Sequence, residues 1–388
     1  MRIIIFISVF ITLYGSLHFY AFWKTGRAFG FHKGLALFMV FMVICPILVR
    51  VVERQGMESL ARVLAYVGYT WMGFLFLFVA AAAVLDMVRW VVFIGAYTLG
   101  GPFDKWALSP KVLFLTALCV CVAGGIYGLI EARWVQTEHI VITSPKIPKE
   151  VGRLRIVQIS DVHLGLIMGK KRLSRILNVV RGAKPDILVS TGDLLDGQID
   201  GIENLAVEFQ EIKPPYGKVA VNGNHEYYVG IERARKFCKT AGFTLLSNKI
   251  FDIPGVLVIA GVDDPAANRF GVYGRLTEKQ LLSKVTKDRF VMVLKHRPML
   301  DEASKGLFDL QLSGHTHRGQ IFPFNLIIKM LYPIDAGLLN LTNGAFLYVS
   351  RGSGTWGPPM RLLAPPEVTI IDLVHGSGKT VDLVLDSD

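Results

Sequence analysis

The sequence predicts an α/β soluble domain preceded by a four-helix transmembrane region. The 388 residues are 52% hydrophobic and only 19% charged, with mean hydropathy +0.44, which excludes a disordered chain and an ordinary fully soluble one. Nearly all of the apolar excess lies before residue 135. From residue 154 the texture changes to short β-branched runs that end in polar or glycine residues, most of them followed by a helix-like segment. That alternation is the mark of layered α/β folds, whose sites form beyond the strand ends.

Charge divides at the same place. Residues 1–149 hold 13 Lys+Arg against 6 Asp+Glu, whereas residues 150–388 hold 29 against 25. The basic excess sits beside apolar segments, where lipid headgroups are the expected partner. No basic run with interleaved aromatics occurs, so no nucleic acid is expected, and no obligate protein partner is evident. Cys45, Cys119 and Cys121 lie in apolar runs and only Cys238 lies in the soluble half, so no disulfide can form within that domain.

Four apolar stretches approach the ~20 helical residues that cross a ~30 Å hydrocarbon core: residues 3–23, 34–49 with Pro46, 64–85 and 112–130. The first is read as an uncleaved anchor, because its run is long and no small-x-small cleavage site follows. The expected organisation is a four-span anchor over 1–133, a linker over 134–151 and the soluble domain over 152–388, in a multi-pass protein of the cell membrane. Loop cations do not choose a side. Arg2, Arg50, Arg54, Arg62, Arg133, Lys146 and Lys149 oppose Lys24, Arg27, Lys33, Arg89, Lys105 and Lys111; a cytoplasmic domain is carried as the expectation. Ionisable residues inside spans mark transport pathways, and the only acids that border these spans closely are Asp86, with Arg89 as its i,i+3 partner, and Glu131. The helices therefore read as an anchor. His18 is expected to be hydrogen-bonded within the bundle, and Gly124, Gly125 and Gly128 to admit a close neighbouring helix.

In the soluble half, strands are expected at 154–160, 187–190, 218–221, 256–260, 290–294, 310–312, 345–349, 368–373 and 381–385, with helices at 170–181, 202–211, 231–240 and 277–287. Polar clusters follow five of these strands: Asp161-Val-His163; Gly192-Asp193-Leu-Leu-Asp196; Gly223-Asn224-His225-Glu226; Lys295-His296-Arg297-Pro298; and Gly314-His315-Thr316-His317. Any one of them alone is an ordinary loop. Five on one rim supply carboxylates, an amide oxygen and imidazoles, donors suited to manganese, iron or zinc, and no thiolate that would select a closed structural zinc site.

This ordered set resembles the calcineurin-like metallophosphoesterase superfamily over roughly residues 152–374. The stretches 313–320 (SGHTHRGQ) and 350–361 (SRGSGTWGPPMR), followed by Pro365-Pro-Glu367, are similar to its membrane-associated branch of YkuE-like and YaeI-like phosphohydrolases and animal transmembrane proteins with a metallophosphoesterase domain. The resemblance implies a four-layer αββα sandwich and two divalent metal ions. Asp161, His163 and His317 would hold one ion, Asn224, His296 and His315 the other, with Asp193 bridging. His225 would act at the scissile bond without binding metal, and Asp196 would orient a ligand from behind. Arg297, Arg318, Arg351 and Arg361 are candidate phosphate clamps; Arg318 stands where the branch often has Gly.

The implied activity is phosphoester or pyrophosphate hydrolysis by a hydroxide bridging the metals, with a diester preferred to a monoester. The expected substrate is a membrane lipid or lipid-linked phosphate such as a UDP-diacylglucosamine-like molecule. The apolar segment 321–333 (IFPFNLIIKMLYP) and the cationic face of Lys170, Lys171, Arg172 and Arg175 are candidate lipid contacts. A non-catalytic metal-binding scaffold would show lost ligands, and a regulatory domain on a sensor or transporter would show paired charges or broken helices in the spans. No ligand is missing from the sequence, and Pro46 alone does not amount to the second mark.

Overall fold

The computed structural model describes residues 2–99, 108–197, 202–271, 276–342 and 344–384; Lys105 and Leu385, used above, lie outside them. The chain divides into two compact units, Met1–Ile130 with Gly357–Leu362, and Glu131–Trp356 with Leu363–Asp388.

The first unit contains helices α1 (Arg2–Phe29), α2 (Lys33–Arg54), α3 (Glu58–Leu99) and α4 (Pro110–Glu131), one at each expected span. Among the described residues three of them, α2, α3 and α4, are long and apolar enough to cross a membrane, where the sequence suggested four. His18 is hydrogen-bonded inside the bundle as expected: its Nδ1 donates to Tyr14 O at 2.9 Å and its Nε2 accepts from Trp71 Nε1 at 2.9 Å. Gly125 lies so close to the Phe74 ring that a Cβ would sit 2.3 Å from it. Asp86 departs from expectation. It pairs with Lys24 and accepts a 2.6 Å hydrogen bond from Tyr20 Oη, because α1 packs on α3 and brings closer partners than the i,i+3 Arg89.

In the second unit the helices are α5 (Lys170–Ala183), α6 (Ile202–Glu208), α7 (Asn224–Val229), α8 (Ile231–Ala241), α9 (Ala266–Arg269), α10 (Glu278–Leu282) and α11 (Asn325–Leu331). One sheet contains β1 (Gln136–Ser144), β2 (Arg153–Ile159), β3 (Ile187–Ser190), β4 (Lys218–Ala220), β5 (Phe243–Leu245), β12 (Glu367–His375) and β13 (Thr380–Val384), in the order β13-β1-β12-β2-β3-β4-β5. The other contains β6 (Lys249–Ile253), β7 (Leu257–Val262), β8 (Val291–Lys295), β9 (Leu310–Ser313), β10 (Gly337–Asn340) and β11 (Phe346–Val349), in the order β10-β11-β9-β8-β7-β6.

Alternation builds the core between the sheets. Ile140 and Ile142, Leu154 and Ile156, Ile187 and Val189 from one sheet meet Leu257 and Ile259, Met292 and Leu294, Leu310 and Leu312 from the other, every second residue of each strand pointing inward. Outside, Leu281 and Leu282 of α10 cover Ala260, Val291 and Val293. α5 buries Leu173, Ile176, Leu177 and Val180 at helical spacing. Sheet on sheet with helices outside is the αββα sandwich.

Two boundaries are corrected. The expected linker 134–151 contains β1, which pairs parallel with β12 and antiparallel with β13; its Ile140, Ile142 and Ser144 are buried at period two, so it is sheet interior and not tether. Gly357–Leu362, expected in the soluble domain, groups with the helices. Strands β2, β3, β4 and β5 run parallel, as do β7, β8, β9 and β11, so the loops after β2, β3, β4, β8 and β9 leave from carboxyl ends.

Candidate metal centre

Those loops gather all seven expected donors. Asp161 and His163 follow β2, Asp193 follows β3, Asn224 opens α7 after β4, His296 follows β8, and His315 and His317 follow β9. Three groups of ligand atoms result, each within 4.8 Å: Asp161, His163 and His317; Asp193, His296 and His315; and His163, Asp193 and His225. Asp193 Oδ2 lies 3.2 Å from His296 Nε2 and 3.8 Å from His163 Nε2, between the two sets, and Asn224 Oδ1 is 3.2 Å from His296 Nε2.

The backbone is bent to make this cluster. Asp161, His163, Asp193, His315 and His317 all have φ between 50° and 73°, a left-handed conformation that non-glycine residues seldom adopt and that concentrates at functional sites. Their neighbours hold them there. The buried Glu226 carboxylate accepts hydrogen bonds from Gly223 N at 2.7 Å, Asp193 N at 2.9 Å and Leu195 N at 3.1 Å, tying the β3 loop to the β4 loop. The loop after β11 does the same for β2: Ser353 N donates to Ser160 O at 2.7 Å and Gly354 N to Asp161 O at 3.0 Å. Gly354 must be glycine, since a Cβ would lie 2.2 Å from Val162 O. Thr191 O accepts from His296 Nδ1 at 2.9 Å, which leaves Nε2 facing the cluster. Glu226, Ser353, Gly354 and Thr191 are positioning residues to which the sequence alone assigned no role; the five-strand pattern would have drawn attention to Glu226, which completes the third motif.

Electrostatics follow from crowding. Burial opposes the charge of Asp161 and Asp193, but His317 and His296 respectively hold these carboxyls well below the usual range. Burial and the neighbouring His225 push His163 down to about 3, and burial with His296 does the same to His315. His296 and His225 go the other way: burial works against their charged forms, yet Asp193 outweighs it and lifts them to about 10 and about 9. Ionised Asp161 and Asp193 beside neutral His163 and His315 are the protonation states a cation requires of its ligands, whereas His296, charged while it faces Asp193, gives up its proton when an ion takes its Nε2.

The donors fit a metal on geometry as well. His163 Nε2 faces His317 Nε2 at 3.1 Å and His315 Nδ1 faces His296 Nε2 at 3.1 Å, close to the ~3 Å between two nitrogens each ~2.1 Å from one ion at a right angle. His163 Nδ1 is buried without a hydrogen-bond partner.

Other expected residues divide. Asp196 Oδ1 makes a 2.9 Å ion-pair contact with His225 Nδ1 and lies 3.9 Å from His163 Nδ1, so it orients His225 more directly than any ligand. Tyr228 and Trp356 flank the His225 ring edge-on, with centroids 5.3 and 5.6 Å away. Arg297 Nε donates to Asp264 at 2.8 Å with its side chain partly exposed, and Arg318 is half-buried in the left-handed region beside His317. Arg351 and Arg361 are not placed as clamps. Arg351 is enclosed by Glu138 at 2.5 Å and Glu367 at 2.6 Å, and Arg361 is wholly buried, within the segment that groups with the helices. On the cationic face of α5, Lys170 pairs with Glu208 at 2.7 Å and Arg172 with Thr355 at 3.2 Å.

Comparison with known proteins matches the calcineurin-like phosphoesterase family to residues 154–319. An uncharacterized metallophosphoesterase of Aquifex aeolicus is 40% identical over 260 residues, 67% of this chain and 99% of its own. One from Campylobacter jejuni is 31% identical over 354 residues, 88% of this chain and 92% of its own. A transmembrane protein with metallophosphoesterase domain from Danio rerio is 32% identical over 274 residues, 66% of this chain and 62% of its own.

Proposed function

The chain belongs to the calcineurin-like metallophosphoesterases, and from that premise we propose that it hydrolyses a phosphoester or pyrophosphate bond in a membrane lipid or lipid-linked molecule, at two divalent cations. The observation that carries the reading is the convergence of seven oxygen and nitrogen donors from five strand-end loops. Asp161, His163 and His317 would hold one cation, Asn224, His296 and His315 the other, and Asp193 both. When bound, the cations supply Lewis acidity toward phosphoryl oxygens and a water acidic enough to act as a nucleophile.

The chain's own groups do the rest. His225, held through Nδ1 by Asp196, offers Nε2 to the leaving oxygen and gives it a proton. Trp356 and Tyr228, both about half exposed, form an aromatic rim around that imidazole and exclude water from one side. A phosphodiester is the class we favour; the proton from His225 assists departure of the alkoxide from a diester or a monoester alike. The lipid character is supported by α11 and the loop before it: Phe322, Phe324, Leu326, Ile327, Met330 and Leu331 are all exposed, and Tyr332 at their end meets the His315 ring at 5.7 Å. An apolar surface beside the centre, in a chain with membrane-crossing helices, suits an acyl-bearing substrate such as a UDP-diacylglucosamine-like molecule.

Purified full-length protein with Mn²⁺ should cleave bis-p-nitrophenyl phosphate faster than p-nitrophenyl phosphate. Asp193→Ala should abolish turnover. His225→Ala should lower it about 10²–10⁴-fold while metal content holds. Hydrolysis surviving Asp193→Ala would refute the two-cation reading.

A further inference from the structure

We propose that the helical unit carries its own binding site for an anionic lipid headgroup, separate from the metal centre, where α1 ends and α4 begins. A cavity of about 310 Å³ lies there between α1, α3 and α4, lined by Trp23, Lys24, Arg27, Asp86, Arg89 and Trp90 among others, and is large enough for a small ligand. Its composition fixes its depth. Trp and Lys/Arg gathered at one level of membrane-crossing helices mark the boundary between hydrocarbon and water, where lipid phosphates lie. Trp23 and Trp90 are 41% and 64% exposed, so the cavity has an apolar, bilayer-facing rim.

Charge inside the cavity is unbalanced. Asp86 is taken by Lys24 and by Tyr20 Oη at 2.6 Å, which cancels the lysine. Arg27 and Arg89 have no carboxylate partner among the described residues; Arg27 lies over the face of Trp23, 5.9 Å from the ring centroid. Arginine side chains at a hydrocarbon boundary reach into the headgroup layer, and there the guanidinium fork matches phosphate oxygens. Among the described residues neither arginine forms an ion pair, which leaves both guanidinium groups available to a ligand. A lipid phosphate is the source in reach at that depth, and the excess of two positive charges favours lipids of net negative charge.

The test uses the full chain, extracted from nanodiscs containing equal phosphatidylglycerol and phosphatidylcholine and read by native mass spectrometry. Wild type should retain phosphatidylglycerol at least about fivefold over phosphatidylcholine. The Arg27→Gln/Arg89→Gln double variant should retain both alike, and Arg62→Gln, whose side chain pairs with Glu58 elsewhere on α3, should behave as wild type. The Arg27→Lys/Arg89→Lys variant keeps the charge and should keep the preference, which separates lost binding from misfolding. Equal retention by wild type or by the lysine variant, or an undiminished preference in the glutamine variant, would overturn the site. Thermal protection of wild type by millimolar inorganic phosphate equal to that by phosphatidylglycerol would overturn the lipid assignment.

Discussion

Glu226→Gln removes one charge and adds no bulk, so its effect reports on how the β3 and β4 loops are held. In the wild type one carboxylate oxygen accepts from Gly223 N and Asp193 N and the other from Leu195 N, all within 3.1 Å. A glutamine has one oxygen. If it keeps the pair, its NH₂ is driven against Leu195 N, leaving a buried donor unsatisfied at about 1–3 kcal/mol, and the remaining two bonds lose their charge assistance. The summed cost to the folded protein is about 2–4 kcal/mol. Because the bond from Asp193 N is one of the two that lose their charge assistance, the loop carrying the Asp193 carboxylate is held less firmly, and weakening such support lowers metal affinity by about 10–100-fold. Mn²⁺ titration of the purified full chain by isothermal calorimetry checks the second figure and thermal unfolding in detergent the first. Mn²⁺ affinity within about twofold of wild type would refute the claim that Glu226 positions Asp193.

Asp372 accepts from Arg155 Nε and Nη2 at 2.8 and 2.7 Å and from His139 at 2.9 Å; burial opposes its charge, but Arg155 holds the carboxyl below its usual value. Its stabilisation is therefore full above the unfolded value of ~3.9 and disappears as pH falls through the lower folded one, so Asp372→Asn should cost about 2–3 kcal/mol at pH 7, and melts recorded down the pH scale should show the difference from wild type shrinking below pH ~3.9. Gly354→Ala should weaken Mn²⁺ binding at least about tenfold, because its Cβ would strike Val162 O and Asp161 O. Gly182→Ala in α5, with open space around it, should leave metal binding unchanged and raise stability by about 0.5–1 kcal/mol. Met330→Glu/Leu331→Glu on exposed α11 should cut turnover of a lipid-linked diester in vesicles while sparing bis-p-nitrophenyl phosphate; equal losses on both would count against α11 as a lipid contact.

The seven donors were legible because their chemistry travels with their residue type: an Asp, Asn or His after an apolar run announces itself. What holds them was not. Five of the seven sit at positive φ without being glycine, and nothing in an aspartate or histidine signals that. α7 escaped because six residues are too few for a helical period, and α10 is shorter than expected, since only 278–282 of the amphipathic 277–287 stay helical. β1 could have been read. Its β-branched run over 140–143 is plain, but its place between the last apolar helix and the first motif made it look like a tether. Arg351 was taken for a phosphate clamp because its partner Glu138 is 213 residues away, and the Asp86 and Lys24 pair, 62 residues apart, was hidden for the same reason. Side-chain type is local information; ion-pair choice belongs to the tertiary fold.

The most direct test is the Mn²⁺ stoichiometry of the purified full chain, read by plasma mass spectrometry after desalting, for wild type and for Asp193→Ala. A shared carboxylate between two sets of donors predicts about two ions per wild-type chain and at most about one in the variant. Two ions retained in Asp193→Ala, or none in wild type, would contradict it.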